Sequence, residues 1–157
     1  TSGIELIRKF HGSECEAGFV LIHVVIDSKT DLLTAAHAKM FEGAQAKDRE
    51  VMNKGLEMHL DTLNLMNDIF KKIWTVSSPQ NYLDFRTFIM GTQGNEDIFP
   101  NGVLYKGVFD EPKVYRGETG AQDSIIPSID SALGLTYPRN SLTEYLFQMR
   151  AYRPYNH

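Results

Sequence analysis

Several things are scarce in this chain, and each scarcity closes a door. It has one cysteine, Cys15, so no internal disulfide can form, and that usage fits a reducing, cytoplasmic compartment. Lys and Arg total 16 against 20 Asp and Glu, a net charge of −4, so no basic field invites nucleic acid or an anionic membrane. No apolar run approaches the roughly 18 residues of a membrane span. The longest, Ala17 to Ile26, is interrupted by His23. There is no Glu-x-x-His, which weighs against a carboxylate-bridged di-metal bundle. There is no His-Glu-x-x-His, no pair of cysteines and no glycine-rich phosphate loop after a strand. No nucleophile elbow supports a Ser/His/Asp site. No repeat or low-complexity segment is visible, and no strand pair has a convincing turn, so the fold reads as all-α.

What is present reads as one domain. A length of 157 residues suffices for a real core, and 42% hydrophobic with 23% charged residues is the composition of a globular protein. Glu14 and Glu16 precede the apolar run and suit a helix start. The absence of Gly and Pro from Phe19 to Glu42 predicts one long helix there, with Phe19, His23, Ile26 and Asp27 on one face. Lys47 to Trp74 is the clearest helix, with a stripe of Met52, Leu56, Leu60, Leu63, Met66, Phe70 and Ile73. Ser77-Ser78-Pro79 supplies an N-cap and an N1 proline for a helix carrying Tyr82, Phe85, Arg86 and Ile89, which Gly91 can end. Residues 91 to 116 read as a long ordered loop with a short extended piece at Val103 to Tyr105; a loop of that length in a compact domain is usually functional. Ser141 and Glu144 have capping-box spacing for a last helix with a buried stripe at Leu142, Leu146, Met149 and Tyr152, and Pro154 ends it.

The stretch Arg116 to Ser124 organises the reading. Gly117 to Ala121 is a run of mostly small residues before an apolar helical pattern that Gly134 can close. Pro127 places the helix start near Asp123 or Ser124, because proline is tolerated only in a first turn. Such a loop is either a plain helix entry or a place where backbone N–H groups approach a flat or anionic ligand. Arg86 leans to an apolar face and needs a partner, either a protein carboxylate such as Asp130 or Asp84 or a ligand carboxylate held by two parallel hydrogen bonds. His23 is either a satisfied core histidine or a site residue. His37 and His59 read as structural or exposed. His157, just past a helix end, is placed as an axial haem ligand could be.

Asn101 to Val108, then Tyr115 to Ser124, then Met149-Arg150-Ala151-Tyr152-Arg153-Pro154, resemble the signature blocks of the indoleamine 2,3-dioxygenase family, in the same order. The resemblance covers nearly the whole chain and is weakest between residues 28 and 75. It implies a helical bundle around haem b, with O₂ and L-tryptophan or a related indole as substrates and N-formylkynurenine as product. It places the iron-binding proximal histidine at His157, and the loop that meets haem propionate and the substrate's amino-acid end at Gly117, Glu118, Thr119, Gly120 and Ala121, Thr119 being the hydroxyl position. It places the substrate-carboxylate arginine at Arg86 within Tyr82-x-x-x-Arg86-x-x-x-x-Gly91, a distal-pocket aromatic at Phe19, and a distal polar group at His23. Family members have serine at the His23 position in mammals, and the related tryptophan 2,3-dioxygenases use a histidine in the comparable role.

Two departures bear on the substrate. Asn81 stands where the family usually has an aromatic, and Thr92 where a Trp often follows the glycine. By the same resemblance, residues 1–157 are a single all-α haem-binding domain, incomplete because the family's small N-terminal domain and its C-terminal helices are absent. The rest of the dioxygenase chain is then the expected partner. Two rival functions stand beside catalysis: a haem-based O₂ carrier or sensor on the same fold, and a helical interaction domain without cofactor. Arg86 favours the enzyme over the carrier.

Overall fold

The computed structural model describes residues 3–89, 91–117 and 123–152. Among them are seven helices and no strand: α1 (Glu14–Asp27), α2 (Thr30–Ala46), α3 (Arg49–Lys71), α4 (Ile73–Val76), α5 (Pro79–Ile89), α6 (Ile125–Leu133) and α7 (Ser141–Arg150). The all-α reading holds. The chain divides into two compact units, Thr1–Phe85 and Arg86–His157. No helix among the described residues is long and apolar enough to cross a membrane.

In the first unit, Ser13 caps α1 by accepting the Glu16 N–H at 3.1 Å. The Glu16 carboxylate reaches back to the N–H groups of Phe10 at 2.6 Å, His11 at 2.9 Å and Gly12 at 2.8 Å. Its burial works to raise the carboxyl pKa, but those three hydrogen bonds, with a contribution from His11, hold it below the ordinary value. The single helix predicted from Phe19 to Glu42 is instead two, broken at Ser28 and Lys29. The reason is local: Ser28 Oγ donates to Val25 O and Thr30 Oγ1 to Asp27 O, each at 2.7 Å. Side chains that bond their own backbone compete with helix continuation without any Gly or Pro.

Helices α2 and α3 form a hairpin through Lys47, in the left-handed conformation at φ 54°, and Asp48, which accepts the N–H groups of Glu50 and Val51. Gly43 and Gly55 let the two backbones approach; a Cβ on either would collide with the main chain of Met52 or Met40. The predicted helix Lys47–Trp74 stops at Lys71, and α4 follows as a separate turn. Its buried strip is Gly55, His59, Thr62, Met66 and Ile69, one position before much of the apolar stripe, while Leu56, Leu60 and Phe70 remain exposed. Leu33, Ala36 and Met40 of α2 fill the core with Met66 and Ile69. Ser78 caps α5, accepting the Asn81 N–H at 3.3 Å, with Pro79 first in the helix as predicted.

In the second unit, α6 starts after Asp123, whose carboxylate accepts the Ile125 N–H at 2.7 Å; Pro127 falls in the first turn, and Gly134 ends the helix at φ 65°. The cap of α7 is Asn140, not Ser141, and its box partner is Thr143, not Glu144. Asn140 Oδ1 accepts from Leu142 and Thr143 at 3.0 Å, and the Asn140 N–H donates to Thr143 Oγ1 at 2.9 Å. The buried stripe shifts accordingly: Thr143 and Met149 are inside, while Leu142 and Tyr152 are exposed. The Asp130 carboxylate joins this end of the unit, accepting from Tyr137 OH at 2.8 Å and Arg150 Nη2 at 3.2 Å.

Candidate functional site

Each unit carries part of the predicted site. In the first, Phe19 and His23 stand one turn apart on α1 with ring centroids 4.7 Å apart. Phe19 also meets Tyr82 at 5.0 Å and the fully buried Phe85 at 5.6 Å, both on α5. The Phe70 ring, from α3, stands nearly perpendicular to His23 with ring centroids 6.0 Å apart. Phe19, Phe70, Trp74 and Tyr82 line a cavity of about 390 Å³, closed on one side by Ser77 and Ser78. An apolar hollow walled by rings suits a flat ligand. Sequence reasoning assigned Phe70 only to a helical stripe. Periodicity places a residue on a face but does not say what stands opposite.

His23 Nδ1 lies 2.7 Å from the Phe19 carbonyl oxygen. A carbonyl can only accept, so Nδ1 carries the hydrogen, and in the neutral ring Nε2 is left as the acceptor. Beneath the cavity, Cys15 Sγ is 3.0 Å from Ser77 Oγ and 3.7 Å from Ser78 O, which ties α1 to the start of α5. The lone cysteine is therefore buried and structural in its contacts.

In the second unit, Arg86 is half-buried in the last turn of α5. Asp130, one carboxylate weighed as its partner, is engaged by Tyr137 and Arg150 instead. Gly91, at φ 77°, pairs with Arg116 and lies directly against the backbone of Tyr115 to Gly117, where any side chain would collide. A second pairing, Val103 with Lys113, pins the middle of the loop. The long loop is thus ordered, and it returns Gly117 to the end of the helix that bears Arg86. Glu118, Thr119, Gly120, Ala121 and His157 lie outside the described residues.

His37 and His59, read as structural or exposed, are buried against one another, ring centroids 4.9 Å apart. His37 Nε2 and both nitrogens of His59 lack hydrogen-bond partners. Burial lowers the pKa of both, and for His37 the His59 charge adds to the effect. Among the described residues, no group of three or more His, Cys, Asp or Glu could hold a metal ion. Haem asks less of a protein than a bare metal does, because the macrocycle holds the iron and one axial side chain suffices.

The sequence profile of the family "Indoleamine 2,3-dioxygenase" matches residues 1–157, the whole chain. The chain belongs to the indoleamine 2,3-dioxygenase family. It is similar to Indoleamine 2,3-dioxygenase 1 of Rattus norvegicus, 28% identical over 157 residues, covering 98% of this chain and 38% of the relative. It is similar also to 6-hydroxytryptophan 2,3-dioxygenase of Fusarium equiseti, 28% identical over 160 residues, again 98% of this chain and 38% of the relative. A Myoglobin of Haliotis madaka is 26% identical over 155 residues, covering 98% of this chain and 41% of the relative. The chain therefore spans less than half the length of these curated relatives.

Proposed function

We propose that the full-length protein is a haem-dependent dioxygenase that opens the indole C2–C3 bond of L-tryptophan or a close indole relative to give N-formylkynurenine or its counterpart. The observation that carries this reading is the family match over all of residues 1–157. Haem b, when bound, supplies the O₂ chemistry. The residues of this chain bind and orient. Phe19 and the rings around it exclude water and stack on a flat substrate. His23 accepts the indole N–H at Nε2, a role supported by its Nδ1 hydrogen bond to Phe19. Arg86 clamps the substrate carboxylate through its planar fork. Gly117, Glu118, Thr119, Gly120 and Ala121 meet the haem propionate and the substrate's amino-acid end. His157 is the candidate axial ligand in this chain; the relatives have further sequence, and a histidine there is the competing ligand. Support for a distal side comes from the apolar, ring-lined cavity at Phe19 and from the acceptor nitrogen left on its neighbour His23.

A second reading is favoured by a specific similarity, that to the Haliotis Myoglobin: a haem-based O₂ carrier. One experiment separates them. L-Tryptophan is added anaerobically to the ferrous full-length protein, and O₂ follows. Formation of N-formylkynurenine supports the dioxygenase. A stable oxygenated haem with no product supports the carrier. In the same preparation, His157→Ala should lose the haem spectrum of wild type if His157 is the axial ligand; an unchanged spectrum puts the ligand elsewhere.

A further inference from the structure

We propose that Thr92 is a positioning residue for substrate binding: it clamps the backbone of Tyr115 and so fixes the end of the helix that carries Arg86. The inference rests on the dioxygenase reading, with Arg86 as the carboxylate clamp. Thr92 grips Tyr115 on both sides of its peptide. Its Oγ1 accepts the Tyr115 N–H at 2.9 Å and lies 3.4 Å from Tyr115 O as a donor. Its own N–H reaches Tyr115 O at 2.9 Å, and the Gln93 N–H reaches the same oxygen at 3.0 Å. Asn95 Nδ2 then donates to Gly91 O at 2.6 Å, closing the turn upon itself. Gly91 contributes the close approach, since its missing Cβ is the space that the Tyr115 to Gly117 backbone occupies.

The clamp acts where Arg86 is most exposed to error. Arg86 sits in the last turn of α5, and helix ends fray unless something holds them. Gly91 and Thr92 come within three residues of that helix's last residue and are tied to a segment more than twenty residues further along the chain. A carboxylate gripped by two parallel hydrogen bonds tolerates little error in the guanidinium plane. A residue that fixes the helix end therefore acts on substrate affinity through Arg86. A hydroxyl on a small side chain accepts from the Tyr115 N–H within this turn. A valine would keep the shape and leave that N–H without its partner.

The test compares Thr92→Val and Thr92→Ser in the full-length, haem-loaded protein. Three quantities are measured: KM and kcat for L-tryptophan, the inhibition constant of 3-methylindole, and amide exchange at Tyr115. 3-Methylindole has the ring but neither amine nor carboxylate. Thr92→Val should raise KM for L-tryptophan about tenfold, the loss of one part-buried hydrogen bond expressed as affinity. It should leave 3-methylindole inhibition unchanged and speed exchange of the Tyr115 amide. Thr92→Ser should restore all three. An unchanged KM, an equal loss of affinity for both ligands, or no rescue by serine overturns the inference alone. A wild-type protein that turns over neither L-tryptophan nor a hydroxylated tryptophan overturns the dioxygenase reading and this inference with it. Thr92→Ala is the second hydroxyl-free variant, should the valine not fold.

Discussion

The first unit holds imidazole in two places, half-buried on one helix and buried in a hairpin, and treats it in opposite ways. On α1, the His23 ring donates one hydrogen bond to the Phe19 carbonyl and keeps one nitrogen over, and its ring neighbours Phe19 and Phe70 line a cavity. In the α2–α3 hairpin, His37 and His59 pack ring against tilted ring in the core with three nitrogens unsatisfied. Orphaned polar atoms of this kind cost stability, by about 1–3 kcal/mol each when a group is left unpaired. The difference teaches how to separate a tool from a burden. A histidine poised for function has its tautomer set by one partner and its other nitrogen left to accept. A histidine without either is only expensive.

The largest effect should come from removing the floor of the aromatic cluster. Phe85 is fully buried against Phe19 and Tyr82. Phe85→Ala should cost about 3–5 kcal/mol, the usual range for emptying a phenyl-sized site. Urea denaturation of the full-length protein checks it. A loss under about 1 kcal/mol would mean that the cluster is not a packed core, and the contrast with the hairpin would collapse.

Next in size is His23→Ser, which separates a positioned group from a packed one. If Nε2 accepts the indole N–H, turnover should fall on the order of 10²-fold, without vanishing, because the group orients rather than initiates. The melting temperature should move little, since the ring is only half-buried. The reverse pattern, a lowered melting temperature with normal turnover per haem, would class His23 with the hairpin pair.

Much of this was legible in the sequence, for reasons that can be named. The ends of α6 follow from the steric rules of Pro127 and Gly134, which act within one turn of the chain. Pro79 marked the start of α5 in the same way. The break between α1 and α2 was harder, because Ser28 and Thr30 stop the helix with side-chain hydrogen bonds that other sequences direct elsewhere. At α7 the predicted Ser141 cap gives way to Asn140, whose extended backbone and Thr143 close the box. Least legible was burial on α3. The apolar stripe predicts Leu56 and Leu60 inside, yet the close contact at Gly55 sets the helix rotation and takes His59 and Thr62 inward. Tertiary approach overrides periodicity there, and no local pattern announces it. For the site, Phe19 and His23 come together as their spacing requires, and Gly91 to Gly117 closes the loop. The Thr92 clamp had only one signal, its departure from the family's usual residue.

The smallest expected effect concerns the hairpin pair and is read against pH. Both rings have lowered folded-state pKa values, chiefly from burial, with the His59 charge adding to the effect on His37. An unfolded histidine titrates near 6.5. Below about that pH the unfolded chain binds protons that the folded chain refuses, so stability rises with pH through this range. The pair's penalty is absent above about 6.5 and grows as pH falls toward the folded-state values. Glu16 acts in the same direction but lower, in the carboxylate range, because its folded pKa is also depressed. The two windows are therefore separable in a stability profile taken between about pH 3.5 and 7.5. His59→Leu keeps the side-chain bulk, removes two unsatisfied nitrogens and should raise stability by about 1 kcal/mol at neutral pH. It should flatten the profile near pH 6 and leave the Glu16 step in place. A variant as steep near pH 6 as wild type would mean that the stacked rings are not the source of the slope, and that the hairpin accommodates its histidines as well as α1 accommodates His23.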